Sequence, residues 1–304
     1  MNTKKIVKHL KRPQNLLYRV LCLYPQLIKS DSLYLRMRYS LSHGETLHLK
    51  KPVTFGEKLQ WLKLYNRQPE YTRMVDKYQA KSLVAGIIGG GYIIPTIAVY
   101  NDVREIDWDA LPNQFVLKTT HDSGGIVICR DKSKLDKDSA IKKLNYAITH
   151  DNYTITREWP YKNVQRRIIA EEYIAPDDGH DDLTDYKWFC FDGEPCYCQV
   201  IQDRKKKETI DFFDKQWNHQ PFIGMSLKAN NAPVQPKCPE KLNEMVEIAR
   251  QLSEGIPFAR IDLYEVRGRV YFGEITFFPA SGFGSFRPKQ YNELIGDLIK
   301  LPIK

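Results

Sequence analysis

Arg260, Asp262, Glu274 and Thr276 are residues whose types and spacing suit chemistry. They lie in two apolar stretches, Arg260-Ile261-Asp262-Leu263-Tyr264 and Val270-Tyr271-Phe272-Gly273-Glu274-Ile275-Thr276, joined by a turn at Arg267-Gly268. Strand alternation puts Arg260, Asp262 and Tyr264 on one face, and Glu274 with Thr276 on one face of the second strand. Pairing through Gly268 brings Asp262 opposite the Glu274–Thr276 end. Two carboxylates and a hydroxyl among apolar neighbours are costly without compensation, so a cation is their natural partner. Hard oxygen ligands favour magnesium, with phosphate oxygens completing its octahedron. Arg260 on the same face would neutralise a transferred phosphoryl group or an acyl phosphate. A structural salt bridge from Arg260 to Asp262 or Glu274 reads the same residues without chemistry, and both readings stay open here.

A second group is Phe115-Val116-Leu117-Lys118 followed by a loop, Thr119-Thr120-His121-Asp122-Ser123-Gly124-Gly125. A lysine ending an apolar strand before small donors suits a phosphate. Lys118 supplies the charge, and Ser123, Gly124 and Gly125 supply backbone N–H groups. The order is not that of a Walker A loop. His121 is either a general base or a loop hydrogen-bonding residue. A third group, Glu171-Glu172-Tyr173-Ile174 and then Asp185-Tyr186-Lys187, can hold a base by backbone and a ribose by carboxylate; a solvent-facing acidic pair is the plain alternative.

These groups need elements to position them. Residues 1–50 read as helical, from Leu16, Leu17, Val20, Leu21, Leu27 and Ile28 at helix-like intervals. Lys4, Lys5, Lys8, Lys11 and Arg12 make the start basic: either a membrane-surface contact or a solvated face on a docked helix. Thr54 to Glu57 is a capping box opening a helix through Tyr65. Asp76 through Ala85 reads as another helix, closed by Gly89, Gly90 and Gly91. From residue 115 the texture turns to strands: 115–118, 125–129, 167–174, a hairpin through Asp192-Gly193, and the last hairpin through Arg267-Gly268. Helices are expected at about 138–150 and 239–254.

Composition narrows the classes. The chain has 304 residues, 42% hydrophobic, net charge +9, and no apolar run long enough to span a bilayer as a helix. Six scattered cysteines and seven unclustered histidines fit neither a disulfide framework nor a zinc site, and fit a cytoplasmic protein. The basic balance attracts anions, but no zinc-finger spacing, RNP-like strand or long Lys/Arg tract points to nucleic acid.

Taken in order, Asp76-Lys77, Pro95, Val116-Leu117-Lys118, the Ser-Gly-Gly loop, Glu171–Ile174 and the Arg-x-Asp…Glu-x-Thr hairpin resemble the ATP-grasp superfamily. More narrowly they resemble its TupA-like, teichuronopeptide-biosynthesis branch, through Thr54–Trp61, Asp76-Lys77-Tyr78, Leu111–Lys118, Asp185-Tyr186-Lys187 and Phe272–Phe277 with Pro279 and Ser281-Gly282. The resemblance implies an α/β (α+β) ATP-grasp fold, nucleotide held between two antiparallel-rich sheets, and a helical N-terminal region. It implies a helical part over 1–70 and a catalytic core over 71–304, with a small lid at about 115–172. It makes Lys77 and Lys118 ATP-contacting lysines, Glu171, Glu172, Tyr173 and Ile174 the adenine linker, Asp185 a ribose ligand and Lys187 a phosphate ligand. Asp262 and Glu274 become magnesium carboxylates, with Thr276 standing where most members carry asparagine. The implied activity is an ATP- and Mg-dependent carboxylate–amine ligase in surface-polysaccharide assembly. It would join an amino acid or amine to a small-molecule or lipid-linked saccharide, in the cytoplasm or at the inner membrane surface. A sugar phosphotransferase, a glycosyltransferase and a non-catalytic glycan-assembly protein are the alternatives.

Overall fold

The computed structural model describes residues 13–122, 124–203, 207–226 and 228–302. The basic stretch Lys4–Arg12 and Ser123 lie outside them. Helices α1 (Pro13–Leu23), α2 (Asp31–His43), α3 (Phe55–Tyr65), α4 (Glu70–Val75) and α5 (Gln79–Ile88) come first. Then follow β1 (Thr96–Tyr100), β2 (Phe115–Thr119), β3 (Ile126–Cys129), α6 (Lys137–Thr149), α7 (Asn152–Thr156) and β4 (Ile168–Glu172). The remainder is β5 (Asp185–Phe191), β6 (Glu194–Gln202), β7 (Thr209–Asp214), β8 (Ile223–Gly224), α8 (Leu242–Ser253), β9 (Phe258–Val266), β10 (Arg269–Thr276), β11 (Phe286–Arg287) and α9 (Tyr291–Asp297).

The strands form a four-stranded sheet, β1-β4-β2-β3, a five-stranded sheet, β10-β9-β5-β6-β7, and the short pair β11-β8. Every pairing between these strands is antiparallel. The small sheet has its own apolar cluster, in which Phe115, Leu117, Ile168 and Ala170 pack with Ala140 and Leu144 of α6. The larger cluster lies on the five-stranded sheet and takes in the N-terminal helices.

The five-stranded sheet is two-sided. Its back carries Trp188, Cys190, Ala259 and Ile261, which belong to one buried cluster with Met245, Ala249 and Leu252 of α8. Its front divides along the strands. At one end Phe189 and Phe258 meet Phe55 of α3 and Phe286, with ring centroids 5.1 to 6.4 Å apart. At the other end the same strands turn out Lys187, Arg260 and Asp262. Register fixes this, because Phe189 pairs with Arg260 and Lys187 with Asp262. The aromatic half anchors α3, and the polar half is left for chemistry.

Local expectations meet the structure in several places. The capping box is formed: Thr54 Oγ1 accepts from Glu57 N, and Glu57 accepts from Thr54 N. Both hairpins turn on paired left-handed residues, Asp192-Gly193 and Arg267-Gly268. The helix expected from Asp76 starts three residues later, at Gln79; Asp76 instead breaks α4 from α5, and its carboxylate accepts from the Tyr78 and Gln79 N–H groups. Beyond α2, residues 44–54 leave helix, so the helical expectation fails over residues 44–50. The strands β1 and β7 and the helix α4 were not expected. Because β1 joins the small sheet, that sheet begins at Thr96, ahead of the boundary near 115. Among the described residues no helix is long and apolar enough to cross a membrane.

Candidate active site

Asp262 and Glu274 face each other across β9 and β10 only because the ladder slips. Val270 pairs with Glu265 and Phe272 with Leu263, and continued without interruption this register would set Glu274 opposite Ile261, on the wrong face. A bulge between Phe272 and Glu274 shifts the register by one, pairing Glu274 with Asp262 and Thr276 with Arg260. Gly273 makes the bulge possible: a Cβ there would lie 2.9 Å from the Asp262 carbonyl oxygen and 3.0 Å from the Tyr264 ring. The signal was present in the sequence. Val270 and Phe272 keep one phase of burial, and Ile275 and Phe277 keep the other. Gly273→Val is expected to cost about 1–3 kcal/mol by overpacking and to turn Glu274 from the site. Its check is a thermal melt with and without nucleotide, in which the ligand-induced shift disappears while the far-UV spectrum holds.

Charges converge on this face. Arg260 Nε donates to Asp262 Oδ1 at 2.7 Å, and its NH2 donates to Asp262 Oδ2 at 2.8 Å, Thr276 Oγ1 at 3.1 Å and Glu274 Oε1 at 3.4 Å. Lys187 Nζ donates to Asp262 Oδ2 and lies 3.2 Å from Asp185 Oδ1. Lys77 Nζ sits 3.8 Å from Glu274 Oε2 and donates to the Asp122 carbonyl, linking this face to the loop between β2 and β3. Burial pushes the Glu274 carboxyl up, yet Lys77, Lys187, Arg260 and Lys118 outweigh it and hold it down at about 2. For Asp262, which is 1% exposed, burial wins and its affinity for a proton rises despite Arg260 and Lys187. The Tyr161 hydroxyl is raised well above the usual tyrosine range by burial, Glu158 and Glu274, so it borders the same cluster.

The small sheet contributes a second cluster. Glu171, 4% exposed, lies between Lys81 at 2.5 Å and Lys118 at 2.7 Å. Burial raises its carboxyl, and the two lysines more than reverse that. It is therefore a clamp between cations and not half of a solvent-facing pair; Glu172 alone is exposed. Lys81 also donates to the Ile94 carbonyl and Thr96 Oγ1, both at 2.7 Å. Lys81 and Tyr161 were missed in the sequence. Lys81 sits on a helix, where a lysine ordinarily reads as a solvated face.

The loop from Thr119 to Gly125 departs from expectation. The Gly125 N–H donates to Asp122 Oδ1 at 3.2 Å, so in this conformation it serves the loop and not a phosphate. Gly125 is required by crowding: a Cβ would fall 2.7 Å from Ala147 Cβ. Gly124 has its carbonyl on Ile126 N at 3.0 Å and room above it. His121 is 2% exposed with Nε2 3.2 Å from the His150 carbonyl, a loop contact rather than one with the carboxylates. Burial lowers its affinity for a proton.

The donor set suits one kind of occupant. Two carboxylates and a hydroxyl on one rigid hairpin offer hard oxygens, and among the described residues no three acidic, histidine or cysteine side chains gather as a closed metal cage. The donor atoms of Asp262, Glu274 and Thr276 are of the kind that would hold a magnesium ion, with phosphate supplying its other ligands. Five cations stand against four carboxylates across both clusters, which suits a polyphosphate. The sequence profile of the TupA-like ATP-grasp family matches residues 57–300. The chain belongs to this family. Its ATP-grasp fold, with two antiparallel sheets, is the one described above. No curated protein matches the sequence. Among solved structures, D-alanine–D-alanine ligase from Bacillus anthracis complexed with ATP is similar at 16% identity, with 67% of this chain and 54% of that chain covered and a TM-score of 0.38. The Helicobacter pylori D-alanine–D-alanine ligase is 15% identical, covering 81% and 69%, at 0.43. The ATP-grasp ligase PsnB complexed with minimal precursor, Mg and ADP is 12% identical, covering 73% and 57%, at 0.39. This TupA-like ATP-grasp chain thus spans little more than half the length of the first of these.

Proposed function

We propose that this protein is an ADP-forming carboxylate–amine ligase that uses ATP and magnesium and acts on a saccharide carboxylate or amino sugar. The observation carrying this reading is the bulged hairpin that sets Asp262, Glu274 and Thr276 beside Arg260, Lys187 and Lys77. In such a reaction a carboxylate oxygen takes the γ-phosphoryl group with release of ADP; an amine then attacks the acyl carbon, phosphate leaves, and an amide forms. Magnesium, held by Asp262, Glu274 and Thr276, would neutralise phosphate charge. The chain's own residues supply the rest: Lys187 and Lys77 orient phosphate oxygens, and Arg260 stabilises charge on the transferred group and on the acyl carbon's oxygen. Lys118, set by Glu171, reaches the nucleotide from the small sheet, with Glu172, Tyr173 and Ile174 offering backbone to the base and Asp185 a carboxylate to the ribose. We read the small sheet as the lid. The cationic excess favours an acidic sugar or a lipid-linked diphosphate as the acceptor's form, at the cytoplasmic side of the membrane.

The test is a thermal melt with ATP, ADP, GTP and UDP-sugars, each with and without magnesium. A ligand at 100 times its Kd stabilises by about 2.7 kcal/mol. We expect ATP and ADP with magnesium to raise the Tm by a few degrees, followed by ADP release that needs both an amine and a carboxylate. ADP release with a sugar hydroxyl and no amine would make it a phosphotransferase. A response to UDP-sugars alone would make it a glycosyltransferase.

A further inference from the structure

Helix α1 is apolar on two opposite sides. Leu21 is buried in the main core, whereas Leu16, Val20 and Leu23, at intervals of four and three, line the outer side with Leu17 and Tyr24 beside them. Leu23 is 70% exposed, and Leu27 in the following turn is 75% exposed. Seventeen large hydrophobic side chains are exposed among the described residues, and seven of them fall within residues 16–33. That concentration separates this face from the scattered apolar residues of an ordinary surface. Apolar side chains gathered on an outward face in this number belong against a second apolar surface.

Charge identifies the medium. The first thirty residues carry seven Lys and Arg and no Asp or Glu, against a net +9 for the whole chain. Arg19 and Lys29 are exposed within the apolar stretch itself. A protein interface excludes charge from its centre, whereas a bilayer surface takes leucines among acyl chains and lysines among headgroups at once. We propose that the outer face of α1 and its following turn is a docking surface for an anionic bilayer.

The surface is joined to the active-site side. Arg157, buried, donates to the Pro25 and Ile28 carbonyls at 2.8 Å each and lies 3.4 Å from Asp31. The segment it begins carries Tyr161, whose hydroxyl is within reach of the charges of Glu274, Arg260 and Asp262. A docked α1 therefore holds this charged face at a fixed orientation to the membrane, where a lipid-linked acceptor would be presented. Only that last step rests on the proposed ligase; the docking itself does not.

The experiment is flotation of the full chain with vesicles of phosphatidylcholine alone and of phosphatidylcholine with phosphatidylglycerol, at low and high salt, with a magnesium–ATP melt on the same preparations. Binding is expected only to the anionic vesicles, weakened by salt, and reduced about ten-fold or more in Leu23→Asp/Leu27→Asp. Both positions face solvent, so the double variant should keep its wild-type melt and any nucleotide shift. No binding, or equal binding to both vesicles, overturns the proposal. So does undiminished binding by the double variant, which would assign attachment to the basic terminus alone. A wild-type dimer on size exclusion that the double variant loses, without vesicle binding, would give the face to a second copy. Loss of the nucleotide shift with vesicle binding intact would count against the ligase and leave docking standing.

Discussion

Asp262→Asn is expected to lower magnesium- and ATP-dependent turnover by at least about a thousand-fold, roughly 4 kcal/mol of transition-state stabilisation, while the chain stays folded. The change is nearly isosteric, so packing around this buried side chain holds. What it removes is the charge through which Asp262 engages Arg260 twice and Lys187 once. Asparagine offers one carbonyl oxygen where the carboxylate offered two, and it cannot balance a divalent cation. Arg260 keeps Glu274 and Thr276, and Lys187 keeps Asp185, so neither cation is left without a partner. Glu274→Gln is the companion. With its carboxyl held down at about 2, Glu274 is charged at every working pH, and the substitution removes a full negative charge. Both variants should lose the magnesium-dependent part of the nucleotide-induced Tm shift and retain a magnesium-independent part from Lys118 and Lys187. Wild-type turnover in both would remove the metal assignment and leave Arg260–Asp262–Glu274 as a structural ion network.

The hairpins around this site were readable because their turn chemistry is local. Asp192-Gly193 and Arg267-Gly268 each put a glycine in the left-handed turn, with Asp192 suited to it and Arg267 held there at a cost, and the strands they join follow from alternation. The bulge was harder. A simple hairpin through Gly268 places Glu274 on the far face, and only the phase change from Val270 and Phe272 to Ile275 and Phe277 reveals the extra residue. Strand β1 was not found because its partner, β4, lies some seventy residues on, and its half-exposed pattern at a sheet edge resembles a loop. The pairing of Glu171 with two lysines was equally invisible: Lys118 comes from the neighbouring strand and Lys81 from a distant helix, and nothing local links the three. The resemblance supplied the order of the charged residues; the sheet registers supply which of them meet.

Lys63→Met should be the most damaging substitution in the N-terminal helices, by about 3–5 kcal/mol as expected for an uncompensated buried partner. Lys63 is fully buried at the end of a stripe on α3, with Gln60 one turn and Gly56 two turns before it. All three meet the segment that follows β10. Lys63 Nζ donates to the Ser281 carbonyl at 2.8 Å and the Thr156 carbonyl at 3.1 Å; Gln60 Nε2 donates to Ser281 O at 3.1 Å. A Cβ at Gly56 would lie 3.3 Å from the Gly282 carbonyl. Ala280, Ser281 and Gly282 are all left-handed, at φ 49°, 54° and 69°, a conformation that the first two residues adopt at a cost and that needs outside support. Lys63 provides that support and also balances buried Glu158, whose carboxyl is raised by burial against the pull of Lys63. Burial lowers Lys63 itself to about 7, so between pH 7 and the unfolded value of 10.5 the unfolded chain binds more protons and the wild type gains stability as pH rises. Methionine does not titrate, so the variant lacks this rise and the gap widens with pH: the Tm difference, about 5–10 °C near pH 8, should shrink toward pH 7. A gap that stays constant or narrows with rising pH would mean that Lys63 keeps its charge in the folded chain.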